Sequence, residues 1–386
     1  MKRGLLGAIV LSAVVAASGT ATAVAAPDCR GELLRTTVVD RISVGEIGDY
    51  LRKAGLDAGR ARFGVVAEWI EYRTVTPDNR PTTASGLVVR PDGAGAPMDL
   101  VSWEHGTMLY RGYAASVNAG DADRAYAALF ASAGYLTSAP DYLGLGTGPG
   151  AHPYMDVGSE TTASLDALRA ARSLPGVKVT GRVLVSGFSQ GGPAAMGLGR
   201  ALSHGADPRL RLAALAPISG PYDLSGTVSR ALDGGVDNAP AYVTYLTVAW
   251  NRLHHLYNSP AEVFLDPSIP DLFDGNHPDA EVFPKLPRTI GELLTPEFIN
   301  RGKNPSGELR RALREADGTC DWRPNVPVHL FAASGDHTVS IANSTTCAQQ
   351  LRVNHATVDL TDVGAVDHLP SAKSALPQVL ALFQAA

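Results

Sequence analysis

The chain has 386 residues, of which 45% are hydrophobic and 18% charged, and a formal net charge of −5. That balance excludes an intrinsically disordered polymer, and the lack of any clustered basic stretch argues against nucleic acid as a partner. The length fits two domains, or one large domain with an insertion.

The first stretch, MKRGLLGAIVLSAVVAASGTATAVAAPDC, places Lys2 and Arg3 before an apolar run from Leu5 to about Ala17. Ala23-Val24-Ala25 then offers an A-x-A cleavage site, so residues 1–25 are expected to be a secretory signal peptide and the mature protein to be extracellular. The run is shorter than the roughly 20 residues a spanning helix needs. Export would permit disulfides. Of three cysteines, Cys320 and Cys347 flank one strand-and-loop segment and are favoured as a pair, with Cys29 outside it, although spacing alone does not fix connectivity. No C-x-x-C or H-E-x-x-H occurs, so neither zinc nor another metal is expected.

Residues 26–63 contain ELLRTTVVDRISVGEIGDYLRKAGL, which reads as a helix-rich segment. GVVAEWIEYRTV (64–75) and TASGLVVRP (83–91) read as two strands, and Pro77-Asp78-Asn79 with Pro81 makes them an antiparallel hairpin. Strand and helix then alternate. Strands are expected within 98–107, 135–144, 181–190 and 211–223, and helices within 121–134, 160–174 and 193–205. Such alternation implies an α/β fold, a mostly parallel sheet with helices on both faces. Its functional residues should gather in loops at the carboxyl ends of the strands.

The rhythm breaks between residues 224 and 318. There Val243, Leu246, Trp250, Leu253 and Tyr257 form one helical stripe, and proline-rich connections follow. We expect a helical cap at 224–318, inserted between a first core part (64–223) and a second (319–386), where NVPVHLFAASGD and ATVDLTDVGAVDH resume the strand pattern.

Gly187-Phe188-Ser189-Gln190-Gly191 is a G-x-S-x-G sequence, a weak signal by itself in a chain with 40 glycines. Its context strengthens it, because RVLVS precedes it as a strand and GPAAMGLGRAL follows as a helix. A nucleophile on such a sharp turn needs small neighbours so that the turn can close and substrate can approach. The helix N-terminus then directs free N–H groups at a developing oxyanion. A serine hydroxyl also needs a base. In chain order, Asp336 in FAASGDHTVS and His368 in DVGAVDHLP both fall just past strands, so Ser189, Asp336 and His368 form a candidate nucleophile, acid and base. His337 is better read as an accessory or surface residue. Asp359 and Asp362 lie on or near the last strand, and Asp367 is poorly placed to bond the neighbouring ring. For the oxyanion, the Gln190 N–H is one candidate donor. SWEHGTML supplies the other, with Thr107 favoured and Gly106 or His105 left open. APDYLGLGTGPGAHPY (139–154) lacks a phosphate-loop pattern. It reads as a loop at the acyl pocket, where Asp141, Tyr142 and His152 either line the pocket or brace the loop. Tyr142 and His105 are candidate substrate contacts.

HGT, APDYLGLG with HPY, GFSQGG, GPYDL, LLTPEF, SGDHTV and DHLP, in that order, resemble α/β-hydrolases of the secretory lipase family, which includes lipase A of yeasts and exported actinobacterial relatives. The resemblance covers the chain from about Gly64 onward. It implies an α/β-hydrolase fold and hydrolysis of carboxylic esters, with acylglycerols as the usual substrate class, a place in lipid catabolism, and no metal or organic cofactor. By the same resemblance, Ser189, Asp336 and His368 are nucleophile, acid and base. The implied partner is a small-molecule or lipid ester, with transient contact at a lipid interface and the oligomeric state left open. Competing readings with the same residues are acyl transfer and peptide cleavage. A non-catalytic binding module is disfavoured because all three positions are filled.

Overall fold

In a computed structural model that describes residues 29–386 except Ala94, the chain is built on a nine-stranded sheet, with strand order β1-β2-β3-β5-β4-β6-β7-β8-β9. The strands are β1 (Leu33–Ile42), β2 (Val65–Val75), β3 (Pro81–Pro91), β4 (Met98–Glu104), β5 (Leu136–Pro140), β6 (Val179–Phe188), β7 (Arg211–Ile218), β8 (Val328–Ala332) and β9 (Val358–Asp362). β1, β2 and β3 pair antiparallel, as do β3 and β5, while the pairs from β5 through β4 to β9 are parallel. Parallel strands buried on both faces have no solvent side to keep polar, which is why β4 and β6 read as apolar runs rather than alternations.

Helices cover both faces. α1 (Ile47–Lys53), α2 (Ala122–Ser132), α3 (Val157–Ala171) and α4 (Gly191–Ser203) precede β7, and α11 (Ala342–Val353) and α12 (His368–Ala385) accompany the last two strands. Ile70, Tyr72 and Val88 of the hairpin face α3, α4 and α11. Their neighbours Ala67, Leu87 and Val89 face α1, α2 and α12. This is the two-residue period of a strand sorted onto two cores. Each Val or Leu buried there contributes about 1.5–3 kcal/mol relative to exposure.

Between β7 and β8 the chain is helical: α5 (Leu224–Leu232), α6 (Ala239–His254), α7 (Asp279–Val282), α8 (Ile290–Leu293), α9 (Pro296–Lys303) and α10 (Gly307–Asp317). These helices share a third apolar core that includes Val243, Trp250, Phe264 and Phe298. Leu246, Leu253 and Tyr257 pack only partly buried against it, and Tyr257 lies beyond the end of α6.

The expected helix-rich character of residues 26–63 needs correction, because their longest element is the strand β1. β1 lies at the sheet edge with its middle exposed, and bulge-like register shifts at Leu33/Arg35 and Val38/Asp40 erase the alternation a strand normally shows. The expected signal peptide, residues 1–25, lies outside the described residues. Among the described residues no helix is long and apolar enough to cross a membrane. Cys320 and Cys347 are joined in a disulfide with Cα atoms 5.2 Å apart.

Candidate active site

Ser189 follows the last residue of β6 and precedes α4 by one residue. Its φ is 56°, a left-handed conformation that a non-glycine residue holds only when its surroundings enforce it. The enforcement is visible. The Ser189 N–H donates to the Ile218 carbonyl at 3.0 Å, and the Gly192 N–H donates to the Ser189 carbonyl at 2.8 Å. A Cβ on Gly191 would lie 2.0 Å from the Glu104 carbonyl oxygen, and one on Gly187 would lie 2.3 Å from the Gly191 oxygen. The glycines of the motif therefore answer to backbone crossing the turn at close range.

Asp336 stands beyond β8 and His368 beyond β9, in the first turn of α12. Because β6, β8 and β9 run parallel, all three side chains meet at one sheet edge. His368 Nε2 lies 2.8 Å from Ser189 Oγ, and His368 Nδ1 lies 2.6 Å from Asp336 Oδ2. The other Asp336 oxygen accepts the N–H groups of Thr338 and Val339 at 2.9 and 2.7 Å. Phe188 packs against the His368 ring with centroids 4.7 Å apart. Ser189, Asp336 and His368 are all buried, at 8%, 5% and 5% exposure. With an aspartate fixing the proton on Nδ1, Nε2 is left to accept from the serine hydroxyl.

The rival acids have partners other than the His368 ring. Asp367 caps α12 by accepting the His368 N–H at 2.7 Å, and this bond holds its carboxyl below the usual range. Asp362 accepts backbone N–H groups of Ser334 and Gly364 at 3.0 and 2.9 Å. Asp359 lies 3.5 Å from His329, and His337 uses its backbone N–H toward Asp367.

The loop after β4 passes beside the serine. A Cβ on Gly106 would lie 3.5 Å from Ser189 Cβ, and Thr107 lines the same two hollows as Ser189. Thr107 Oγ1 lies 2.9 Å from the Tyr154 hydroxyl. Gln190 heads α4, fully buried.

His105 and Tyr142 turn inward. Both are buried, their rings are 4.2 Å apart, and neither lines the apolar slot or the open groove at Ser189 described below. The His105 ring nitrogens face the carbonyls of Gly106 at 2.6 Å and Asp141 at 3.2 Å. These side chains brace the loops from beneath. Asp141 does the same, accepting from the Ser85 hydroxyl at 2.6 Å.

Two hollows meet at Ser189. One is a narrow apolar slot of about 60 Å³ that runs under the α5–α6 helices past Val228, Tyr242, Val243 and Leu246. The other is an open groove of about 580 Å³ bordered by Tyr113, Asp121, Asp123, Tyr126, Leu369 and Lys373. The slot residues from the inserted helices were invisible to sequence reading beyond the stripe of α6, since no local pattern says which of its members meets the serine. His152 and Glu160 are both buried beside Gln190.

A mixed sheet of this order, with a strained serine between a strand and a helix and its partners on two later loops, defines an α/β-hydrolase. No protein-family model matches the chain, and no curated protein matches it. Solved structures do. A putative hydrolase from Legionella pneumophila is 26% identical, covering 91% of this chain and 97% of its own, with a TM-score of 0.84. The rice cell wall degrading esterase LipA from Xanthomonas oryzae is 28% identical, over 92% of this chain and 97% of its own, with a TM-score of 0.82. Candida antarctica lipase A in its closed state, 15% identical over 91% of this chain and 83% of its own at a TM-score of 0.64, shares the fold. The chain thus has the α/β-hydrolase fold and is similar to a hydrolase and an esterase of that fold.

Proposed function

We propose that this protein is a secreted serine hydrolase of carboxylic esters, acylglycerols among them. The observation that carries the reading is the continuous hydrogen-bond chain from Ser189 Oγ through His368 to Asp336. His368 takes the Ser189 proton as Oγ attacks the ester carbonyl. Asp336 keeps the ring in the Nδ1–H tautomer and stabilises the imidazolium. The oxyanion is met by the N–H groups of Gln190 and Thr107. The leaving alcohol takes the proton from His368 and departs through the open groove, while the acyl chain lies in the slot. Water, deprotonated by His368, then attacks the acyl-enzyme, and the proton returns to Ser189 as the acid leaves.

Three things support this reading. The slot beside Ser189 is lined chiefly by apolar side chains. Structures of a hydrolase and an esterase share the fold at 26% and 28% identity. The Cys320–Cys347 disulfide is at home in an oxidising compartment, which agrees with the export expected from residues 1–25. A p-nitrophenyl ester series from acetate to palmitate tests the activity with wild type and Ser189→Ala side by side. Turnover that disappears with the Ser189 hydroxyl supports the proposal, and turnover that survives in Ser189→Ala refutes it. Appearance in a secreting host's medium of a product beginning near Ala26 tests the export.

A further inference from the structure

Gln190 carries the backbone N–H on which the oxyanion step depends, and the backbone bond from Gly192 N–H to the Ser189 carbonyl spans it. Gln190 follows a residue in the left-handed region and is followed by Gly191 and Gly192, which have no side chains, and by Pro193. No side-chain cap closes the start of α4. The Gln190 side chain is the one between Ser189 and Pro193 that can tie the turn to other elements, and it is fully buried. A buried amide nitrogen must find acceptors. Its Nε2 lies 2.8 Å from His152 Nε2 and 2.7 Å from Glu160 Oε1.

The direction of these bonds is fixed. His152 Nδ1 lies 2.9 Å from the Leu143 carbonyl, to which it can only donate. His152 Nε2 then has a lone pair and accepts from Gln190. The second Gln190 N–H goes to Glu160 Oε1. Burial pushes the His152 ring down to about 3 and the Glu160 carboxyl up to about 8, so both partners are neutral at pH 7. The result is a one-way chain, from Gln190 to His152 on one side and to Glu160 on the other. It ties the turn to the 141–154 loop and to α3.

We propose that His152 and Glu160 are positioning residues that clamp the Gln190 side chain and so aim its backbone N–H at the oxyanion. The proposal rests on the reading of Ser189 as nucleophile. Neither residue touches substrate. Their neutrality also matters, because a buried anion beside Gln190 would oppose the negative charge that develops on the carbonyl oxygen.

The test compares His152→Phe, Glu160→Ala and Glu160→Gln with wild type on p-nitrophenyl butyrate, with butylboronic acid as a mimic of the tetrahedral state. Melting temperatures are measured alongside. His152→Phe keeps ring volume without an acceptor, and Glu160→Gln keeps an acceptor oxygen. His152→Phe and Glu160→Ala should lower kcat on the order of 10- to 100-fold, with KM within about 3-fold and boronate affinity falling in step with kcat. Glu160→Gln should stay within about 3-fold of wild type. If Glu160→Ala does not fold, His152→Phe and Glu160→Gln still decide. A folded His152→Phe with wild-type kcat overturns the clamp, as does a kcat loss with unchanged boronate affinity. Wild type lacking turnover that depends on Ser189 overturns instead the hydrolase reading on which the clamp stands.

Discussion

Asp336→Asn tests the electrostatic logic of the site more sharply than deletion does. One Asp336 oxygen accepts two backbone N–H groups, from Thr338 and Val339. The other faces His368 Nδ1 at 2.6 Å. An asparagine has one acceptor oxygen, and the two backbone donors claim it. The amide NH2 must then point at His368 Nδ1, which can receive it only as an acceptor. The ring proton moves to Nε2, where it faces Ser189 Oγ with nothing to accept the serine proton. The geometry stays and the tautomer is wrong. The expected loss in kcat is about 10⁴-fold, equivalent to about 5 kcal/mol of transition-state stabilisation. Steady-state kinetics on p-nitrophenyl butyrate near pH 7, with a melting curve to show the fold is intact, gives the answer. A folded D336N enzyme within about 10-fold of wild type would refute the reasoning.

Other perturbations follow from the same coordinates. Cys320 and Cys347 are 27 residues apart in sequence, and closing a loop of that length restrains the unfolded chain by about 3.5 kcal/mol. At roughly 2.1 cal/mol/K of unfolding entropy per residue, replacing both by alanine should lower Tm by about 5 °C, and a fall below about 1 °C would contradict this. Leu246→Trp should fill the slot beside Ser189, lowering kcat/KM on octanoate esters by about 10-fold or more while acetate changes little. Equal effects on both esters would remove the slot as the acyl site. Burial raises the Glu160 carboxyl to about 8, above its unfolded value near 4.3, so its contribution to stability is whole below about pH 4 and is lost as pH rises toward 8. The Tm of Glu160→Gln should therefore gain on wild type between pH 5 and pH 8.5, and a constant gap would show that Glu160 does not titrate in that window.

Much of this architecture is legible in the sequence because it is written locally. The Pro77-Asp78-Asn79 turn between apolar alternations gives the β2–β3 hairpin, and the glycines around Ser189 record the close crossing of the Glu104 backbone. Asp336 and His368 could be found because parallel strands bring their following loops to one edge, whatever their distance in sequence. β1 was missed because an edge strand has no buried face to impose a period, although its Thr-Thr-Val-Val run is rich in β-branched residues. His105 and Tyr142 read as substrate contacts from sequence because they sit in loops at the correct edge. Sequence gives the edge but not which way a side chain turns, and these turn inward. His152 and Glu160 meet Gln190 only through the packing of a loop and α3 against the turn, a contact between positions 30 and 38 residues apart.

The central claim is that Ser189 is an activated nucleophile, and covalent trapping tests it most directly. Wild type and Ser189→Ala would be incubated with a fluorophosphonate, followed by intact mass measurement and peptide mapping. One adduct is expected on wild type, located on Ser189, and none on Ser189→Ala. An unmodified wild type, or an adduct on another residue that persists in Ser189→Ala, would contradict it.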